Sequence, residues 1–239
     1  MNENYDMNSP TRVLSNTFVA NVFMWMFLAL GITALTAYLF GTSETLIMSM
    51  YTIRADGTAS MNILGWIVML APLALVLIMG FGIEKMKAST MILIFIAYSI
   101  LMGMSLSFIF LVYTQTSIFK TFLITSGMFG IMAVVGYTTK TDLTKLGSIL
   151  LMALVGIIIA SLVNMFMHSE RLDYIISIIG VIIFTGLTAY DVQKIKNIGM
   201  LGLENSETTT KLSINAALSL YLDFINLFLY LLRFFGKRN

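Results

Sequence analysis

Seven stretches of about twenty apolar residues, parted by short polar links, constrain this chain more than any other feature. They run from Phe18 to Phe40, Ile63 to Ile83, Met91 to Tyr113, Ile118 to Tyr137, Leu146 to Met167, Tyr174 to Val192 and Leu212 to Phe235. Each is as long as a helix needs to cross a hydrocarbon layer roughly 30 Å thick. Composition agrees. Hydrophobic residues make up 58% of the chain and charged residues 11%, where soluble domains carry roughly 25% charged. One soluble core could not hide that much apolar surface. Backbone groups in lipid must be paired within the segment, so the spans are helices. The ten-residue alternation of a membrane β-barrel is absent. The expectation is an all-α integral membrane protein in contact with a lipid bilayer. Residues 1–17 read as a short polar cytoplasmic tail, and residues 18–239 as a single transmembrane domain of seven helices.

Lysine and arginine in the loops set the expected orientation. With the N-terminus in the cytoplasm, the inner side holds Arg12, Lys85, Lys87, Lys140, Lys145, Lys194, Lys196 and Lys211. The outer loops hold Arg54, Lys120 and Arg171. Seven crossings then leave Arg233, Lys237 and Arg238 outside, against the rule. Either the earlier helices fix the topology or the last segment is re-entrant. The leading residues lack the basic-then-apolar pattern of a secretion signal.

Several chemistries are disfavoured. There is no cysteine, and His168 is the sole histidine, expected in a loop. No cofactor is expected, and the net charge of +2 gives no reason to expect nucleic acid. Methionines such as Met24, Met79 and Met102 read as gap-fillers. Gly127, Gly130 and Gly136, with Gly103, Ser105 and Ser107, read as helix-packing positions.

Two acids break the pattern. Asp191 stands in the last turns of the sixth apolar run and Asp223 near the middle of the seventh. Neither span has an interior lysine or arginine to neutralise them. An ionised side chain at such depth costs at least about 2.5–3.5 kcal/mol, so it must face the bundle interior or a watered cavity. On the seventh span Asn215, Ser219, Asp223, Asn226 and Tyr230 recur at helical spacing and share a face. Thr188 and Asp191 share a face on the sixth, while Ser177 and Thr185 are expected to bond backbone carbonyls of their own helix.

The two spans are antiparallel, so the aspartates could meet. Asp223 lies about 18 Å beyond Lys211 at 1.5 Å per residue. The levels match only if the last helix begins before it enters lipid, with Asn205 or Ser206 as its N-cap. Two carboxylates a hydrogen bond apart share one proton. Protonated, the pair clasps two helices. Deprotonated, it repels or attracts a hard cation such as Ca²⁺. Asp191 and Asp223 are thus a candidate H⁺ or Ca²⁺ site, with Asn215, Ser219 and Asn226 as candidate pathway lining.

"FTGLTAYDVQKIK" and "ALSLYLDFINLFLYLLRFFG" resemble the sixth and seventh helices of the transmembrane Bax inhibitor motif family. The likeness extends more weakly along the chain, through the seven-span pattern and "KTDL". It implies a seven-helix bundle with a central C-terminal helix ringed by the other six. It also implies a pH-sensitive Ca²⁺ leak with a di-aspartyl sensor at Asp191 and Asp223, and a bacterial inner-membrane member. Some members latch the pair with an arginine ending the second helix. Here "GFGIEKMKAST" offers Glu84, Lys85 and Lys87 instead. Either a lysine takes that place, without the planar fork, or the closed state is held differently.

The leading expectation is a passive, pH-gated cation pathway. The alternative is a regulatory membrane protein that binds another membrane protein, such as a protease or a cell-death factor. A proton-coupled transporter ranks lower, since only Pro72 interrupts a span. No enzymatic activity is expected. The G-x-G-D setting of intramembrane aspartyl proteases is missing, because Asp191 follows Ala189-Tyr190 and Asp223 follows Tyr221-Leu222.

Overall fold

The computed structural model describes residues 10–53, 59–201 and 205–238. The first nine residues, the Arg12 side chain and Arg54 lie outside the described residues.

The chain forms α1 (Pro10–Thr42), α2 (Glu44–Met48), β1 (Tyr51–Ile53), β2 (Ala59–Met61), α3 (Ile63–Gly82), α4 (Ala88–Leu106), α5 (Ile109–Val112), α6 (Gln115–Thr138), α7 (Thr144–Met167), α8 (Glu170–Gly199) and α9 (Ser206–Phe235). Seven helical segments are long and apolar enough to span a membrane: Ser15–Thr42, Ile63–Gly82, Ala88–Val112, Gln115–Thr138, Thr144–Met167, Glu170–Gly199 and Ser206–Phe235. They coincide with the seven apolar runs. β1 and β2 pair antiparallel, Tyr51 opposite Met61, as a small ribbon between α2 and α3.

Boundaries differ where polar residues carry helices past the apolar runs. α1 starts at Pro10, inside the segment read as a tail. A proline is tolerated in the first helical turn, whose N–H groups have no helical acceptor anyway. α8 continues through Lys194 and Lys196 to Gly199, so Asp191 is not in its last turns. α9 begins at Ser206, with the Asn205 carboxamide oxygen accepting from Glu207 N at 2.9 Å and Thr208 N at 3.2 Å. It is unbroken to Phe235. The third run is divided instead. A turn at Ser107–Phe108 separates α4 from α5, with the Ser107 hydroxyl donating to Met104 O at 2.7 Å, a local bond that competes with the helical ladder. His168 ends α7 in the left-handed region, φ 50°, as a loop residue before α8.

α9 is the axis of the bundle. Of its most apolar stretch 67% is buried, against 17% for α6 and for α7. α1, α4, α6 and α8 pack directly on it. α3 packs mainly on α4 and α7 mainly on α8, so four helices make the closest approach to α9. The core joins α1, α4 and α9 through Val22, Met26, Phe95, Tyr98, Leu220 and Tyr221. A second cluster joins α7, α8 and α9 through Leu150, Ile157, Ile183 and Leu227.

Small residues decide how closely the helices approach. A Cβ on Gly103 would strike the Thr33 carbonyl of α1, and one on Gly136 would strike the backbone of Ala189 on α8. Gly180 is pressed by the Tyr230 ring. Gly127 and Gly130, expected to pack as well, face open space with nothing within 4 Å. Spacing on α6 marked three glycines alike, but only Gly136 lies on the face turned to α8.

Candidate functional site

The site lies where α8 and α9 run antiparallel. The Ser219 hydroxyl donates to Asp191 Oδ2 at 2.5 Å. Farther along, Phe184 stacks on Tyr230 with ring centroids 5.8 Å apart. These two contacts bracket Asp223 and fix the polar stripe of α9 against α8. The early start of α9 and the late end of α8 bring the two aspartates to similar depth.

The carboxylates are neighbours but do not form the direct hydrogen bond expected of the pair. Asp191 spends its contact on Ser219. Asp223 is 5% exposed, and its Oδ2 is buried with no hydrogen-bond partner. The two are near enough for their charges to interact, and Lys194, one turn beyond Asp191, adds a positive charge on that side. The Thr185 hydroxyl is the other buried side-chain oxygen without a partner among the described residues. It was expected to bond its own helix, as Ser177 does to Asp173 O at 2.8 Å and Thr188 does to Phe184 O at 2.7 Å. On α9, Asp223 Oδ2 is thus an oxygen that water or a cation could satisfy.

The candidate lining residues divide. Ser219 is engaged with Asp191. Asn226 turns its amide back to Leu222 O at 2.8 Å. Asn215 is half-buried one turn before Ser219. No cluster of three or more acidic or histidine side chains occurs among the described residues.

Three residues escaped the sequence reading. Gln193 braces the α6–α7 turn: Leu143 N donates to its Oε1 at 2.8 Å, and its Nε2 donates to Thr141 O at 2.8 Å. The motif stretches "KTDL" and "YDVQKIK" therefore touch. In that turn the Thr144 hydroxyl and N–H both donate to Asp142 Oδ1 and hold this exposed carboxyl below its ordinary range. Lys196 Nζ donates to Tyr137 O at 2.7 Å and lies over the Tyr137 ring. Both Gln193 and Lys196 look from sequence like solvated helix-end residues. The third is Tyr221, on the other side of α9. Its hydroxyl is 2.8 Å from Thr33 Oγ1, which donates to Ser99 O at 2.9 Å. Thr33 has one proton to give, so Tyr221 is the donor to Thr33. The chain α9–α1–α4 closes a fully paired network at the core.

Neither Lys85 nor Lys87 is paired with Asp191 or Asp223. Instead Lys211 Nζ donates to Met86 O at 3.0 Å, and Ala88 N donates to Glu207 Oε1 at 3.4 Å, so the start of α9 grips the α3–α4 turn. The ion pair found among the described residues is Arg233–Asp173, 3.0 Å, at the opposite end of the bundle.

A family model described as "Inhibitor of apoptosis-promoting Bax1" matches residues 15–239. Inner membrane protein YbhL of Escherichia coli K12 is 46% identical over 224 residues, 93% of this chain and 92% of that protein. An uncharacterized protein of Borreliella burgdorferi is 47% identical over 227 residues, 95% and 94% of the two chains. Protein RP147 of Rickettsia prowazekii is 50% identical over 175 residues, 73% and 74% of the two. The match covers every span, both aspartates and the α6–α7 turn. With seven membrane helices around a central α9, this chain is an integral membrane protein that belongs to the Bax1-I family, the inhibitors of apoptosis-promoting Bax1.

Proposed function

We infer that this protein is a passive, pH-sensitive cation pathway in a bacterial inner membrane, with Ca²⁺ as cargo. Asp191 and Asp223 are its sensor and gate, and the end of the bundle where α1 begins faces the cytoplasm. One observation carries the reading. A carboxylate oxygen on the central helix is buried without a partner, beside a second carboxylate on the helix packed against it. As glue alone this is a poor arrangement, since an unsatisfied buried acceptor costs about 1–3 kcal/mol. As a gate it is apt. A second negative charge in this interface favours separation of α8 from α9 or entry of water and a cation. Purified protein in Ca²⁺-loaded liposomes should release Ca²⁺ at a rate that changes with pH. A flux that is absent, or independent of pH, would sink the proposal.

Ser219 positions Asp191. Ser219→Ala removes the donor and leaves a second buried carboxylate poorly satisfied. We expect it to lower stability by about 1–3 kcal/mol and to move the midpoint of the pH response while the response itself survives. Thermal unfolding in detergent and liposome flux read the two effects. A midpoint identical to wild type would mean that Ser219 does not touch the titrating state.

The family description, which names an inhibitor of an apoptosis-promoting protein, supports a second reading in which the protein acts by binding another membrane protein. A stoichiometric crosslinked partner in cells, together with no flux in liposomes, would favour it.

A further inference from the structure

A crevice of about 410 Å³ opens on the side of α9 away from Asp191. α1 and α6 form two of its walls, and Leu106, Ile109 and Phe110 of α4 and α5 line it as well. Its floor is Phe224, Ile225 and Phe228. Its body is apolar, and no charged residue lines it. Polarity is confined to two places. Thr33, deep inside, is already paired with Tyr221 and Ser99. Tyr38 and Gln115 stand near the outer ends of α1 and α6.

A basic tail lies beside Gln115, at that end of the crevice. The C-terminal tail returns past α9 and is fixed there by main-chain contacts. Thr114 N donates to Lys237 O at 3.1 Å, Lys237 N donates to Ser117 Oγ at 3.0 Å, and Tyr113 bridges Arg238. Lys237 and Arg238 are exposed, and the tail is anchored to Tyr113, Thr114 and Ser117, which flank Gln115. From Tyr38 to Leu30 the crevice descends about 12 Å along α1 at 1.5 Å per residue. An apolar slot of that depth, open toward the hydrocarbon and rimmed by cations at its outer end, matches one molecule already present around the protein. It takes an extended acyl chain inside and an anionic headgroup at the rim.

We propose that the crevice between α1 and α6 is a binding site for one acyl chain of an anionic membrane phospholipid, whose headgroup is held by the Lys237–Arg238 tail. Shape selects the chain, since Phe119 and Phe122 on α6 face it across Ala34 and Ala37 on α1. Charge selects the headgroup, as juxtamembrane basic residues each favour anionic lipid. The site is separate from the aspartates but shares α9 with them: Phe224 on its floor follows Asp223 directly.

Two experiments test this. In native mass spectrometry, wild type incubated with phosphatidylglycerol should keep one lipid per chain in preference to phosphatidylcholine. Ala34→Trp, which fills the slot from an exposed position, should lower retention about tenfold. Ile158→Trp, on the outward face of α7, should leave it unchanged. Lys237→Ala with Arg238→Ala should keep the lipid but remove the headgroup preference. Equal retention by wild type and Ala34→Trp would overturn the proposal, as would a slot-dependent protein dimer without lipid. The second experiment uses unaltered protein and phosphatidylglycerol with a photoreactive acyl chain. Adducts should concentrate on the peptides holding Phe119–Phe122 and Phe224–Phe228. Adducts spread over α7 in proportion to its exposure would also overturn it.

Discussion

Asp223→Asn is expected to hold Ca²⁺ release at the wild-type low-pH level across the whole pH range. Asparagine has the size and shape of a protonated aspartate and cannot lose the proton. The pair then never carries two charges, so whichever state the protonated wild type adopts is the state in which the variant stays. Asp191→Asn should do the same from the facing helix. A tenfold difference in leak between the pH limits corresponds to about 1.4 kcal/mol of bias. That is modest for charges at a depth where insertion of one costs at least about 2.5 kcal/mol. Stability separates this from a structural role. Because Asp223 Oδ2 has no partner, its loss breaks no hydrogen bond at that atom. Asp223→Asn should therefore unfold at the same temperature as wild type or higher at neutral pH. Lower stability with an intact pH response would make Asp223 a packing residue and remove it from the gate.

Gly136→Leu is expected to be the most damaging single change in the transmembrane region. The added Cβ would meet the Ala189 carbonyl and Cα, which are helix backbone and cannot swing aside. α6 would have to leave α8, at a cost of about 3 kcal/mol or more. Ala189 lies two residues before Asp191, so protein that still folds should also lose the alignment of the pair. Gly130→Leu is the matched control. It is on the same helix, with nothing within 4 Å of the new Cβ, and should stay within about 0.5 kcal/mol of wild type. The fraction folded after detergent extraction, with the unfolding temperature of each variant, measures the contrast. Equal losses would mean that helix context, rather than the α6–α8 approach, sets the effect.

These predictions draw on different levels of information. The polar stripe on α9 was legible because Ser219, Asp223 and Asn226 recur at helical spacing in an apolar run. The partnership of Ser219 with Asp191 was not, because spacing assigns a face but no neighbour. Asn205 was legible as a cap, and its early start for α9 removed the mismatch in depth. Thr185 misled: a hydroxyl in a helix usually bonds the preceding turn, and this one does not. Gln193 and Lys196 were hidden for the opposite reason. Beside a loop, a polar side chain looks solvated until the loop is known to fold back on it.

The membrane class, the seven helices and the two costly acids were readable from the residues alone. Each follows from local chemistry, because twenty apolar residues in lipid must be helical and a charge among them must be sheltered. That α9 is the axis, that α1, α4, α6 and α8 pack on it most closely, and that Asp223 Oδ2 is left without a partner while Asp191 is held, came from the packing. It also decided that α1 and α6 leave a slot between them. Contacts between helices depend on which small residues let backbones approach. Gly136 and Gly130 look alike in sequence, and only packing tells them apart.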